Sequence, residues 1–438
     1  MLLGVPGLKR SSISIAVVVA VSIILVSCGS YSKPSSYQQG GSHLKFRAFV
    51  SNPLQPSSFG PTPVLNVVDA SKDVLSFSTV SLASSSPQPG LMAVFPNKKF
   101  TLVFGASNNS ITVVSNAQEA VSQSAPIPLP ASTESMFVWI DNLTAYAAVP
   151  NAPVTGQPLG AVEVLNLSAG IISAKLPVPG AHYIVQSHNG NRILVLGDNS
   201  DVVTIIAPSL IGTSMNPLTP VCCFDHPVWG VFSSDDTTAY ILNCGPECGG
   251  PVGTPASITV LDMNTNTAGT TVPVDGATIG LLSGSTLYVA GTPPGTACGS
   301  GTAATSCGTL SVVDVSSMTV TNTNPIIITD GYHNRMEMGA MGQIFIGARN
   351  CTNINIPPSG SNPGEVRGCL SIFNTTNSNV VIPPDIGDVT GIQPILNRSV
   401  VYVVENGELR IYDTTIDKLQ SKQIDIIGQA IDVKLVDF

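Results

Sequence analysis

The sequence predicts an all-β fold, a β-propeller of eight four-stranded blades in one closed ring, and three observations carry that expectation. A short apolar strand, mostly closed by Asp or Asn, recurs eight times: VLNVVD (to Asp69), SITVVS (to Ser115), AVEVLN (to Asn166), VVTIIA (to Ala207), SITVLD (to Asp262), LSVVD (to Asp314), LSIFN (to Asn374) and LRIYD (to Asp413). The end positions are spaced by 46, 51, 41, 55, 52, 60 and 39 residues. A period of about 40–50 residues, filled with short strands and no helical pattern, is that of a propeller. Second, an apolar strand precedes each motif, as in FRAFVS at 46–51, and in seven repeats an inner strand precedes that one. Third, the eighth inner strand is missing at the start, while Ala430-Ile-Asp-Val-Lys-Leu-Val-Asp-Phe438 stands unused at the end. That C-terminal strand is expected to complete the first blade and so remove the exposed edges of an open array.

Each element has a physical reason. The second and third strands are almost continuously apolar, as strands buried on both faces should be when blades pack face to face. The acids closing the third strands, as in Asp69-Ala-Ser-Lys and Asp262-Met-Asn-Thr, start turns by accepting from the backbone two residues on. They are therefore read as structural rather than catalytic.

Three repeats put a Tyr-type second strand before a Val-x-Asp-type third strand: Tyr240-Ile-Leu-Asn with Val260-Leu-Asp262, Tyr288-Val-Ala-Gly with Val312-Val-Asp314, and Tyr402-Val-Val-Glu with Ile411-Tyr-Asp413. In these residues the chain from about 45 to 438 resembles the YVTN-type β-propeller repeat family. The resemblance implies the fold and says almost nothing of activity. Members commonly have seven blades, so a seven-bladed ring with one aberrant repeat is the alternative count. The family's Pro-Asp-Gly turn is degraded here to Phe95-Pro-Asn-Lys, Ser234-Asp-Asp or Asn189-Gly.

Residues 1–27 read as a secretory leader, with Lys9 and Arg10 ahead of an apolar stretch of 14 residues, Ile13 to Val26. That stretch is shorter than the roughly 20 residues a membrane-spanning helix needs. Leu25-Val26-Ser27-Cys28-Gly29 resembles the lipobox of bacterial lipoproteins. By that resemblance the leader is removed and Cys28 becomes the lipid-bearing first residue, several acyl chains giving stable attachment where one would not. Residues 28–44 then form the lipidated Cys and a Ser- and Gly-rich tether, and residues 45–438 the propeller domain. Gly29 is not the Asp that retains many such proteins at the inner membrane, which points to the outer membrane where two membranes are present.

Composition excludes one partner class. The formal charge is −9, and it becomes −11 once Lys9 and Arg10 leave with the leader. Binding a phosphate backbone needs clustered Lys and Arg to displace counterions, so nucleic acid is not an expected partner.

The repeats of excess length carry the excess between second and third strands, at Asn151–Gly160, Cys244–Ala256, Gly291–Gly308 and Asn350–Gly368. In a propeller those loops share one face with the blade-to-blade connections, and long loops gathered on a rigid scaffold form recognition surfaces. Neutral drift of surface loops would give the same lengths. After Cys28 eight cysteines remain, and an even number in an exported chain reads as disulfides. Cys298 with Cys307, and Cys351 with Cys369, bracket two of the long loops and are expected to pair. Cys222, Cys223, Cys244 and Cys248 allow three connectivities; strain in a vicinal bridge favours two bridges joining the 222–223 and 244–248 segments. The same four thiols would offer a metal site only in a reducing compartment.

Chemistry is sparse. His182, His226 and His333 fall near the starts of inner strands, where a propeller places its channel mouth. With Asp225, Trp229 and Arg335 they form the candidate binding set, and three converging imidazoles could hold a metal or move protons. A polar channel mouth needs polar residues for solvation alone, and no metal or cofactor is assigned. Eight blades with a vicinal cysteine pair resemble quinoprotein alcohol dehydrogenases, but those carry repeated tryptophan motifs and this chain has only Trp139 and Trp229. There is no Ser nucleophile elbow, HExxH, P-loop or Rossmann fingerprint. The expected function is therefore a membrane-anchored envelope protein binding a protein, small-molecule or glycan ligand through its disulfide-braced loop face. The alternative is a lactonase- or lyase-like enzyme, hydrolytic and possible with metal assistance, at the channel mouth.

Overall fold

Eight antiparallel blade sheets follow one another along the chain, six built from consecutive strands, the first from both ends and the seventh interrupted by a separate two-stranded hairpin. The computed structural model describes residues 41–438 apart from 84, 123–124, 252, 299–301, 362–363 and 438. The leader, Cys28 and most of the tether lie outside the described residues. Gly41–Phe438 forms a compact unit by itself. Among the described residues, no helix is long and apolar enough to cross a membrane.

Blade 1 has Val433–Leu435 innermost, then Arg47–Gln55, Thr62–Asp69 and Val74–Ser81. Blades 2 to 8 begin with the inner strands Pro89–Val94, Ser135–Val138, Ala181–Gln186, Pro227–Phe232, Ile279–Ser283, Tyr332–Met338 and Val389–Pro394. The outermost strand of blade 2 is split into Ala120–Val121 and Ile127–Pro128, and that of blade 6 into Thr319–Val320 and Ile326–Ile328. The count is eight, and the seven-bladed alternative falls.

The C-terminal strand closes the ring as its sequence requires. Ala48 pairs with Leu435 and Val50 with Val433, and the Val436 N–H donates to Arg47 O at 2.9 Å. Each inner strand also touches the inner strands of its two neighbours, around to blade 1 again. Between the blades the buried apolar side chains form eight clusters, each joining two adjacent blades. This is why second strands such as Phe100–Gly105 and third strands such as Ser110–Ser115 are buried along almost their whole length.

The third-strand acids do what the turn chemistry predicts. The Oδ1 atoms of Asp69, Asp262, Asp314 and Asp413 accept the backbone N–H of Ser71 (3.0 Å), Asn264 (2.8 Å), Ser316 (2.9 Å) and Thr415 (2.8 Å). They sit at the outer rim of the fold, paired to their own turns.

Candidate functional site

Antiparallel strands alternate their connections between two ends, so the propeller has two unlike faces. One, the loop face, carries the loops from second to third strands and the links between blades. The other, the turn face, carries the remaining short turns. All four long loops lie on the loop face, and in blades 5, 6 and 7 each is tied by one disulfide: Cys244–Cys248, Cys298–Cys307 and Cys351–Cys369.

The last two bridges are those the flanking strands lead one to expect. The first corrects the expected link between the 222–223 and 244–248 segments. A single 3₁₀ turn over Gly245–Cys248, ended by left-handed Gly249 at φ +91°, returns the chain on itself. It brings the Cys244 and Cys248 Cα atoms to 5.6 Å, within ordinary disulfide reach. Cys222 and Cys223 are left exposed and unbridged, their Sγ atoms 2.6 Å apart.

The three loops also bind one another. In blade 5, Glu247 Oε2 accepts the N–H of Thr292 in the blade 6 loop at 2.8 Å. Farther along that loop, the Thr302 hydroxyl and the Ala303 N–H donate to the Glu365 carboxylate of blade 7. Glu365 lies on a small hairpin, Ile354–Ile356 with Glu365–Arg367, and is also paired with Arg367 at 3.1 Å. The Asn353 side chain accepts the N–H of Gly387 at 2.9 Å and so ties blade 7 to the approach to blade 8. The loops of blades 5 to 7 thus form one knitted plate beside the channel.

At the channel mouth the sequence reading needs correction, because strand register separates the three histidines. The inner strands of blades 4, 5, 7 and 8 enter with the same bulge, skipping one residue between Ala181 and Tyr183, Pro227 and Trp229, His333 and Arg335, and Val389 and Gly391. His333 therefore occupies the place held by Ala181, Pro227 and Val389, all buried. His182 is the extra bulged residue, and His226 precedes its strand altogether. A shift of one residue turns a side chain to the other face. His333 is accordingly 0% exposed, with Nε2 3.0 Å from Thr329 O, and burial pushes its pKa down to about 4. It belongs to a blade junction, and the three imidazoles do not converge.

His182 is the histidine at the mouth. Its Nδ1 lies 2.7 Å from Asp198 Oδ1, and its Nε2 3.8 Å from Glu134 Oε2. Pairing with the carboxylate of Asp198, and then with that of Glu134, raises its pKa to about 9 against the opposing effect of burial, which favours the cation at neutral pH. The same Glu134 oxygen is 3.8 Å from Arg349 Nη1. Glu134 enters blade 3 and Arg349 ends a strand of blade 7, four blades on in a ring of eight, so this pair spans the channel. The His182 cation beside it holds the Glu134 carboxyl below the usual range. Tyr332 stands 41% exposed close by, its hydroxyl pushed up to about 12 by its surroundings and by the charges of Glu247, Asp198 and Glu134. Burial brings Glu247 itself to about 7.

The other sequence candidates are spread around the mouth. His226 Nδ1 is 2.8 Å from Asp225 Oδ1 and 4.0 Å from Asp201 Oδ1. Among the described residues these three are the group whose ligand atoms, all within 4.8 Å, could share a cation. Trp229 is a wall residue, stacked on Tyr183 with ring centroids 3.8 Å apart and donating from Nε1 to Gly280 O at 2.9 Å. Arg335 donates from Nε to Thr390 O at 2.9 Å and from Nη1 to Asn334 O at 2.8 Å, which ties blade 7 to blade 8. Sequence reasoning missed Glu134, Asp198, Glu247, Tyr332 and Arg349. Glu134, Asp198 and Glu247 are solitary polar residues in connections, Tyr332 and Arg349 stand at strand ends, and only ring closure makes them neighbours.

No family model matches this chain, and no curated protein matches it in sequence. Solved structures do resemble it. Dihydro-heme d1 dehydrogenase NirN, in complex with DHE, matches with a TM-score of 0.62 at 10% identity, over 93% of this chain and 78% of that one. Hydrazine synthase of Kuenenia stuttgartiensis matches with a TM-score of 0.54 at 13% identity, over 79% of this chain and 97% of that one. The periplasmic gluconolactonase PpgL of Pseudomonas aeruginosa matches with a TM-score of 0.50 at 12% identity, over 89% and 98%. At such identities the likeness is one of fold alone, and the fold of this chain is an eight-bladed β-propeller.

Proposed function

We propose that this protein is a lipid-anchored component of the bacterial cell envelope that captures a protein partner through its loop face. The observation that carries the reading is the plate: three adjacent long loops, each with a disulfide, hydrogen-bonded to one another by Glu247–Thr292 and Thr302–Glu365. Bracing loops before binding lowers the ordering entropy lost on association. Ile356 and Val366, 37% and 39% exposed on the hairpin, supply apolar contact on a rigid base. The lipobox around Cys28 and the tether after it support the anchor, and Gly29 supports the outer membrane where there are two.

The test is a photo-crosslinking residue placed at Ile356 or at Val366 in cells. A discrete protein adduct is expected at both, lost when residues 354–367 are replaced by a short turn and kept in His182→Gln and His226→Gln. No adduct at either position would sink the reading. An enzyme is the second reading, and one observation favours it: Glu247, near pKa 7 beside Tyr332, has the value a proton carrier needs at neutral pH. Turnover of a lactone that disappears in Glu247→Gln would establish it.

A further inference from the structure

The turn-face end of the channel differs from the mouth. A cavity of about 630 Å³ opens there, walled by Met92, Met136, Phe137, Met338 and Leu435 from the inner strands of blades 1, 2, 3 and 7. Ala340 and Leu396 stand at its rim, both exposed. The volume falls in the range of small-molecule sites, and so does the make-up of an apolar wall with few polar groups.

Its polar side chains are Lys434, Gln186, Asn397 and Gln393, the last donating from Nε2 to Pro394 O at 2.9 Å. The one charge in the wall, Lys434, is already answered by Asp432 at 3.7 Å, so the cavity asks for no anion. Gln186 also lines it, and its side-chain Oε1 is buried with no hydrogen-bond partner. A buried acceptor left unsatisfied is costly, and a ligand N–H or O–H would satisfy it. Three methionines and a phenylalanine in the wall suit a planar aromatic body, since methionine makes favourable contacts with aromatic rings and adapts to their shape.

We infer that the turn-face cavity is a second binding site, distinct from the loop face, for an uncharged aromatic small molecule carrying one hydrogen-bond donor.

N-Phenylnaphthylamine is the probe, being uncharged, aromatic, fluorescent when dehydrated and equipped with one N–H. Titrated into the unit Gly41–Phe438, it is expected to give a saturable rise in emission at one probe per chain. Ala340→Trp, which covers the rim, and Gln186→Leu, which removes the acceptor, are each expected to weaken binding about tenfold. Replacing the loop-face hairpin is expected to leave the affinity unchanged. Ala340 is exposed, so its variant keeps the fold, and matching thermal transitions check both. No saturable rise, or an affinity unaltered in either variant, overturns the inference.

Discussion

A chain that stops at Gln429 is expected to lose its cooperative fold. The missing segment holds Val433, Leu435 and Val436, all buried in the junctions of blade 1. At about 1.5–3 kcal/mol for each large apolar side chain buried, these three contribute roughly 5–9 kcal/mol as an upper estimate. That is as large as the whole net stability of many domains. Polar losses add to it. Asp437 accepts from the backbone N–H and the Nε of Arg47, whose side chain is 9% exposed, and only Glu119 at 2.9 Å would remain to balance that cation. Asp432 accepts the Met92 N–H at 2.9 Å and so fixes the adjoining blade. The inner edge of Arg47–Gln55 would also be laid open to pairing with other chains. Urea unfolding followed by circular dichroism decides the matter. A sharp transition at the parent's midpoint would show that seven complete blades hold the ring without closure.

How much of this was legible in the sequence follows from the range of each interaction. The blade count, the strand order and the Asx turns of Asp69 or Asp262 depend on residues within one repeat, so periodicity exposes them. Ring closure was legible because a single strand was left over at 430–438. The bridges Cys298–Cys307 and Cys351–Cys369 span the ends of neighbouring strands and were legible for the same reason. Cys244–Cys248 was not, because it depends on one 3₁₀ turn whose tightness the sequence GPEC does not announce. The histidines were misjudged by a single residue of register, which the entry bulge of the inner strands decides. Pairs that cross the channel, such as Glu134 with Arg349, and walls shared by distant blades, such as Met92 with Met338, have no local signature. They exist only at the radius that eight blades set.

The same one-residue difference gives His333 and His182 opposite responses to pH. In the folded chain His333 titrates near 4 rather than the ordinary 6.5, so the folded state takes up its proton less readily than the unfolded chain. The stability it contributes is complete above pH 6.5 and is lost as pH falls from there through 4. At about 1.4 kcal/mol per unit, the loss is on the order of 3 kcal/mol. The structure supplies the reason: the neutral ring spends its one N–H on Thr329 O, and a second proton on Nδ1 would be a buried donor without an acceptor. His333→Gln keeps a donor for Thr329 and does not titrate. Its stability, measured by denaturant at pH 6.5 and pH 4, is expected to fall less than the parent's by about that amount. His182 has a raised folded pKa of about 9, so its contribution is complete below pH 6.5 and is lost as pH rises through 9. With 37% of its side chain exposed, solvent screening keeps that contribution small. The gap between the parent and His182→Gln is therefore expected to narrow between pH 6.5 and 9. If His333→Gln instead follows the parent through the acid limb, the ring must be reaching solvent, and His333 would return to the channel mouth as a binding candidate.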